Sequence, residues 1–192
     1  MVKPETPHRL VRFTEKSVVI VKERTPIFPG KVEKTSLEAK FDVVCHSEAE
    51  MYSACRNSRT FILFGQSNSG KTFTTTRLIE NVTHEIENGC SVGIRAIEWG
   101  ILGFKVLCGN DKSTYALNID MIEPKKVTKE LILIEYKNIS KKRQACETLL
   151  NKKCSSRSHL IVQIHVSDVV YTFVDCAGSE ATQDIFDVKE IP

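Results

Sequence analysis

At 192 residues, with 41% apolar and 27% charged side chains, the chain has the composition of a folded domain, which excludes a disordered or low-complexity protein. The formal net charge of +3 selects no partner by itself. Seven cysteines (45, 55, 90, 108, 146, 154 and 176) form no C-x-x-C pair, and their odd number and irregular spacing exclude a zinc site and a disulfide framework; a reduced, intracellular protein is expected.

The opening MVKPETPHRL carries prolines and charges where a signal peptide needs an apolar run, and no later segment reaches membrane-spanning length, so a cytoplasmic location follows by elimination. Residues 17–22 (SVVIVK) are rich in β-branched types and predict a strand, with a turn at RTPIFPG. After AKFDVV a short helix is expected over about 47–55. The apolar run TFILF, 60–64, has strand length and the pattern of a strand covered on both faces, and Gly65 ends it. From Lys71 to about Asn88 there is neither Pro nor Gly, which predicts a helix closed by Gly89 and Cys90. ILGFKVLC and ELILIEY read as strands, and a basic helix is expected over about 140–150. LIVQIHV and VVYTFVD, separated by Ser167 and Asp168, predict an antiparallel hairpin. Strands and helices intermix, so the fold class is α/β with a mixed sheet.

Charge is unevenly placed. Between Lys125 and Lys153 nine Lys or Arg stand against three Glu, a local +6 that leaves −3 for the remainder. Such a segment suits an acidic partner, whether nucleic acid, a lipid headgroup or an acidic filament; a solvated helix face or loop has the same letters and is the commoner case.

The stretch FILFGQSNSGKTFTT contains G-x-x-x-x-G-K-[ST] at Gly65, Gly70, Lys71 and Thr72, between a predicted strand and a predicted helix. In that setting successive backbone N–H groups curl around phosphate oxygens and the helix start adds its dipole. Lys71 supplies a point charge to the β- and γ-phosphates, the Thr72 hydroxyl suits Mg²⁺, and Asn68 tolerates left-handed backbone angles. A Gly-rich turn with an ordinary surface lysine would give the same four letters. Two further segments argue against that. YTFVD ends an apolar strand in Asp175, which suits Mg²⁺ held through water, and in the following CAGSE the N–H of Gly178 can approach a terminal phosphate without a side chain in the way. In SSRSH, 155–159, adjacent hydroxyls can ligate metal and orient a water, and the arginine can pair with an acid. Read singly, the first is a turn or helix cap and the second a polar loop.

In this order the three segments resemble the kinesin motor family: GQSNSGKT its phosphate loop, NKKCSSRSH its first switch and DCAGSE its second, with weaker likeness at FDVV and GIRAIE. Myosins have a different first switch, and NKKC lacks the Asp of the base-reading segment of small GTPases. The resemblance implies a P-loop NTPase-type mixed sheet flanked by helices in one partial motor domain over 1–192, with phosphate loop 65–72, first switch 151–159 and second switch 175–180. It implies a Mg²⁺-dependent ATPase of the microtubule-motor type. ATP would be held by Gly65, Gln66, Ser67, Asn68, Ser69, Gly70, Lys71 and Thr72, with Phe73 near the base. Thr72 and Ser156 would ligate Mg²⁺ with Asp175 behind them, Ser155 would place the attacking water, Arg157 would pair with Glu180, and Gly178 would sense the γ-phosphate. The implied partner is the microtubule, and the implied location the cytoskeleton.

Four departures stand beside the resemblance. The R-x-R-P that contacts the base is absent, HRLVRFTEK offering only Arg9 and Arg12. Phe73 alone would equally suit a core position. One extra residue lies between Asn151 and Ser155. After Glu180 only ATQDIFDVKEIP remains, so the family's relay helix and track-binding elements have no counterpart, the C-terminal part of the motor domain is missing, and a partner chain completing the sheet is one expectation. Two alternatives therefore stay open: a non-catalytic remnant that binds nucleotide or tubulin, and a P-loop NTPase acting on nucleic acid through the basic segment.

Overall fold

The computed structural model describes residues 9–24, 33–66, 69–100, 103–110, 118–143, 145–146, 155–156 and 158–179, with backbone alone at 9–13, 20–24, 33–37, 145–146 and 155–156. The chain divides into two compact units, Met1–Arg56 and Asn57–Pro192.

The first unit holds an antiparallel sheet of β1 (Arg9–Phe13), β2 (Ser17–Arg24) and β3 (Glu33–Lys40), in that order. Thr14 closes the first turn, its Oγ1 accepting from the Ser17 amide at 2.8 Å. The expected short helix is α1 (Glu48–Cys55). Its start is written in S-x-x-E: Ser47 Oγ accepts from the Glu50 amide at 3.2 Å, and the Glu50 carboxylate accepts from the His46 amide at 2.7 Å. The turn expected at RTPIFPG lies, after Arg24, outside the described residues.

The second unit is built on six strands: β4 (Thr60–Leu63), β5 (Val92–Gly100), β6 (Gly103–Cys108), β7 (Lys125–Val127), β10 (His159–Val166) and β11 (Val169–Asp175). Between β7 and β10 a two-residue pair, β8 (Ala145–Cys146) with β9 (Ser155–Ser156), stands apart from the sheet. The order is β4-β11-β10-β5-β6, with β7 also on β5. β4 runs parallel to β11 and every other pair is antiparallel, the mixed sheet expected. The β10–β11 hairpin turns at Ser167, which takes φ 50°.

α2 (Lys71–Glu85) buries Thr75, Leu78, Ile79, Val82 and Thr83, a stripe at helical spacing, and packs on β11. It stops three residues short of the expected end because Ile86 turns extended, and the Lys129 ammonium caps the freed Ile86 carbonyl. α3 (Ile132–Lys142) buries Ile132, Tyr136 and Ile139 and touches α2 and β6. The buried sheet face completes this core with Phe61, Ile94, Ala96, Leu160, Val162, Ile164 and Phe173.

Three expectations need correction. ELILIEY is not a strand: Lys129–Leu131 form a 3₁₀ turn that leads straight into α3. The spacing of Ile132, Tyr136 and Ile139 continues past the apolar run, and that longer helical period decides what the run alone leaves open. The basic helix expected over 140–150 is the tail of that same helix: Arg143 is extended, Ala145–Cys146 pair with Ser155–Ser156, and 147–150 lie outside the described residues. β4 is not covered on both faces, for Phe61 is buried while Ile62 is 62% exposed. Among the described residues β4 pairs with β11 alone, so it is an edge, and no helix is long and apolar enough to cross a membrane.

Candidate functional site

The parallel pairing of β4 with β11 sets Leu63 beside Asp175 and Phe61 beside Phe173, whose rings stack at 5.1 Å. Both strands therefore deliver their C-terminal ends to one place, the usual location of ligand sites in such sheets. Gly65 follows β4 at φ +141° and Gly70 precedes α2 at φ +87°, backbone angles that L side chains rarely adopt. Ser67 and Asn68 lie outside the described residues. The Lys71 ammonium folds back over the loop, donating to the Gly65 carbonyl at 2.8 Å and the Gln66 carbonyl at 2.7 Å. Ile62, Leu63, Phe64, Gly65, Ser69, Lys71 and Thr74 line a cavity of about 340 Å³.

Asp175, the acid that ends YTFVD, lands on this loop. Thr72 Oγ1 donates to Asp175 Oδ2 at 2.7 Å, across 103 positions of sequence. The segment after Asp175 stays with the loop: the Cys176 amide donates to the Leu63 carbonyl at 3.0 Å and the Ser179 amide to the Gly65 carbonyl at 3.1 Å, which carries Gly178 alongside. Glu180 lies outside the described residues.

Asp175 is buried at 1% exposure and is held from its other side by Arg143, whose Nη1 lies 2.7 Å from Oδ2. Arg143 Nη2 also donates to the Asp175 carbonyl at 2.8 Å, and Nε donates to the Ser158 carbonyl at 3.1 Å with Nη2 sharing that acceptor. One guanidinium thus joins Ser158 of the SSRSH segment to the acid of DCAGSE. Sequence reasoning missed it because Arg143 stood as one charge among nine in a basic run; that it is the single Arg beside eight Lys was the available signal, since a guanidinium can serve several acceptors at once. Ser158 is buried and donates to Glu98 Oε1 at 2.6 Å. The backbone of Ser155 and Ser156 lies in β9, and Arg157 lies outside the described residues.

Phe73 is not a core residue: it is 56% exposed, with the Arg77 guanidinium 5.3 Å from its ring centre. Three residues of the basic segment are drawn into local structure, Lys125 pairing with Glu135 at 2.6 Å, Lys129 capping α2 and Arg143 buried.

The chemistry of the donor set suits a hydrated divalent cation. Asp175 Oδ1 is a buried carboxylate oxygen without a hydrogen-bond partner among the described residues, and the Thr72 hydroxyl lies on its sister oxygen. Among the described residues no three His, Cys, Asp or Glu gather as a metal cluster, so such a cation would draw most of its ligands from phosphate and water, as Mg²⁺ does in nucleotide sites.

No protein-family model matches the sequence, and no curated protein matches it. Solved structures do. KIF14 with ADP in complex with a microtubule has a TM-score of 0.61 at 16% identity, covering 91% of this chain and 64% of that one. The Drosophila kinesin family member Kin10/NOD in complex with divalent manganese and ADP has a TM-score of 0.55 at 19% identity, covering 92% of this chain and 68% of that one. Drosophila NOD in complex with AMPPNP gives 0.56 at 16%, with 97% and 69% covered. The chain has a kinesin motor-domain-like fold and spans 64–69% of the length of these structures.

Proposed function

We propose that residues 1–192 form one partial kinesin-type motor domain that binds ATP with Mg²⁺ at loop 65–72 and couples hydrolysis to movement on microtubules. One observation carries the reading: the hydrogen bond from Thr72 to Asp175, which joins the phosphate loop to the second switch, beside a loop whose lysine is already turned inward. The fold likeness to structures holding ADP, AMPPNP and manganese, and to one on a microtubule, supports it.

In this reading the amides of 65–72 wrap the phosphates, and Lys71 exchanges the Gly65 and Gln66 carbonyls for phosphate oxygens. Thr72 and Ser156 would hold the metal, with Asp175 behind them. The cation, when bound, supplies charge neutralisation at the terminal phosphates. Ser155 orients the attacking water, the Gly178 amide reports the γ-phosphate, and the Arg157–Glu180 ion pair closes the site. Phe73, exposed near the loop, stacks on the base. Loss of the γ-phosphate releases both switches, which is how such domains move what is attached to them.

Calorimetry with Mg²⁺ and ATP should register binding, and Lys71→Ala should weaken it at least about a hundredfold, by removing a charge-assisted contact to the phosphates. No heat from folded wild-type protein would overturn the reading. A second reading, binding without turnover, draws on the uncovered face of β4 at Ile62 and Phe64 and on the chain's partial span of the solved structures. It predicts nucleotide binding with no phosphate release stimulated by microtubules, whereas the motor reading predicts stimulation.

A further inference from the structure

The outer face of α2 carries a cluster that the phosphate loop does not use. Leu78, Ile79 and Val82 are buried, and on the opposite side of the helix stand Phe73, Arg77 and Glu80, spaced as i, i+4 and i+7. The Arg77 guanidinium carbon lies 5.3 Å from the centre of the Phe73 ring, and Arg77 Nη1 donates to Glu80 Oε2 at 2.7 Å. Phe73 is 56% exposed all the same. A solvated helix face often holds an ion pair of this kind with no role beyond the helix. Its place sets this one apart. Phe73 sits in the first turn of the helix that the phosphate loop opens, and its neighbours are committed to that loop: Thr72 bonds Asp175, while Lys71 and Thr74 line the cavity beside Gly65. With one face of the ring against the guanidinium, its exposure comes from the other face and the edge.

We propose that Arg77, held by Glu80, is a positioning residue for the base: it backs the Phe73 ring so that a purine stacks on the opposite face, layering guanidinium, phenyl ring and base. The assignment rests on the nucleotide reading above, in which Phe73 meets the base. A ring fixed before the ligand arrives has less freedom to lose on stacking, and preorganisation of that kind raises affinity. Arg77 itself touches neither base nor phosphate. Stacking engages the flat face of a base and not its hydrogen-bonding edge, so the shelf takes adenine and guanine alike. The ligand class is then purine nucleoside triphosphates.

The test uses the full chain and titration calorimetry in Mg²⁺ with ATP, GTP and inorganic tripolyphosphate, which carries the charge without a base. Phe73→Ala is expected to weaken ATP and GTP about tenfold and to leave tripolyphosphate unchanged. Arg77→Gln should weaken both nucleotides about threefold, again with tripolyphosphate unchanged, and Glu80→Gln should act in the same direction by a smaller factor. Combined with Phe73→Ala, Arg77→Gln should change nothing further, because it acts through the ring alone. An equal loss for tripolyphosphate would put Arg77 on the phosphates and overturn the assignment. A loss confined to ATP or to GTP would mean that Arg77 reads a base edge, which overturns it as well. So would unchanged nucleotide affinity in Arg77→Gln. If wild type binds tripolyphosphate as tightly as ATP, the shelf falls and the phosphate loop stands. If it binds neither, the functional proposal falls and takes the shelf with it.

Discussion

Gly70 is required by its backbone conformation, its carbonyl accepting from the Thr74 amide at 2.8 Å as α2 begins. It stands at φ +87° with no atom within 4 Å of where a Cβ would lie, so a side chain there meets conformational strain and no clash. Gly70→Ala should therefore cost about 1–2 kcal/mol in urea unfolding, the usual cost of forcing a left-handed angle on an L residue. His165 is a different case. Its Nε2 is buried without a hydrogen-bond partner, and burial, with help from Arg95 and against Asp120, pulls its pKa below the ordinary 6.5. A lowered value means that the unfolded chain takes up the proton first, so stability is full above about pH 6.5 and falls as pH drops toward the folded value. Melting temperatures at pH 7.5 and 5.5 should differ more for wild type than for His165→Gln. Residues whose chemical type a motif demands were legible in the sequence: Lys71 and the hydroxyl of Thr72 belong to G-x-x-x-x-G-K-[ST], and Asp175 is the acid that ends YTFVD. Arg143 was not legible, because a run of basic residues reads as a solvated face and the burial of its single Arg shows only in the fold.

At the scale of elements, the sequence reads well where one period dominates and poorly where two compete. The hairpin of β10 and β11 alternates cleanly and formed as expected, with Leu160, Val162 and Ile164 buried between half-buried neighbours. ELILIEY is a short continuous apolar run that fits either period, and became helix because Ile139 extends the apolar stripe beyond it. The two readings separate Ile132 from Ile134 in opposite ways: a strand would bury both, the helix buries Ile132 and leaves Ile134 54% exposed. Ile132→Ala should thus cost about 2–4 kcal/mol by chemical denaturation and Ile134→Ala under about 0.5 kcal/mol. β5 carries no apolar run in the sequence, since Arg95 and Glu98 interrupt it, yet it is buried from Val92 to Glu98. Both charges are satisfied sideways, Arg95 by Asp120 and Gln163 at 2.7 Å each and Glu98 by Ser158 at 2.6 Å. Those partners come from other elements, which is why a window along the chain could not find the strand.

At the scale of the molecule, β4 leaves Ile62 62% and Phe64 79% exposed beside an unpaired strand edge. An apolar edge of this kind promotes association. The isolated chain should self-associate with rising concentration in sedimentation, and the Ile62→Thr, Phe64→Ser double variant should reduce it without loss of secondary structure. The sequence by itself determined the G-x-x-x-x-G-K-T pattern at 65–72, the order of the three motifs and the α/β class, because each depends on residue types at fixed short spacing. Only the tertiary structure decided that Thr72 meets Asp175, that Arg143 serves two segments at once and that β4 is an edge. The parallel pairing of β4 with β11 brings Thr72 and Asp175 together across 103 positions of chain, and no local pattern encodes a distance of that kind.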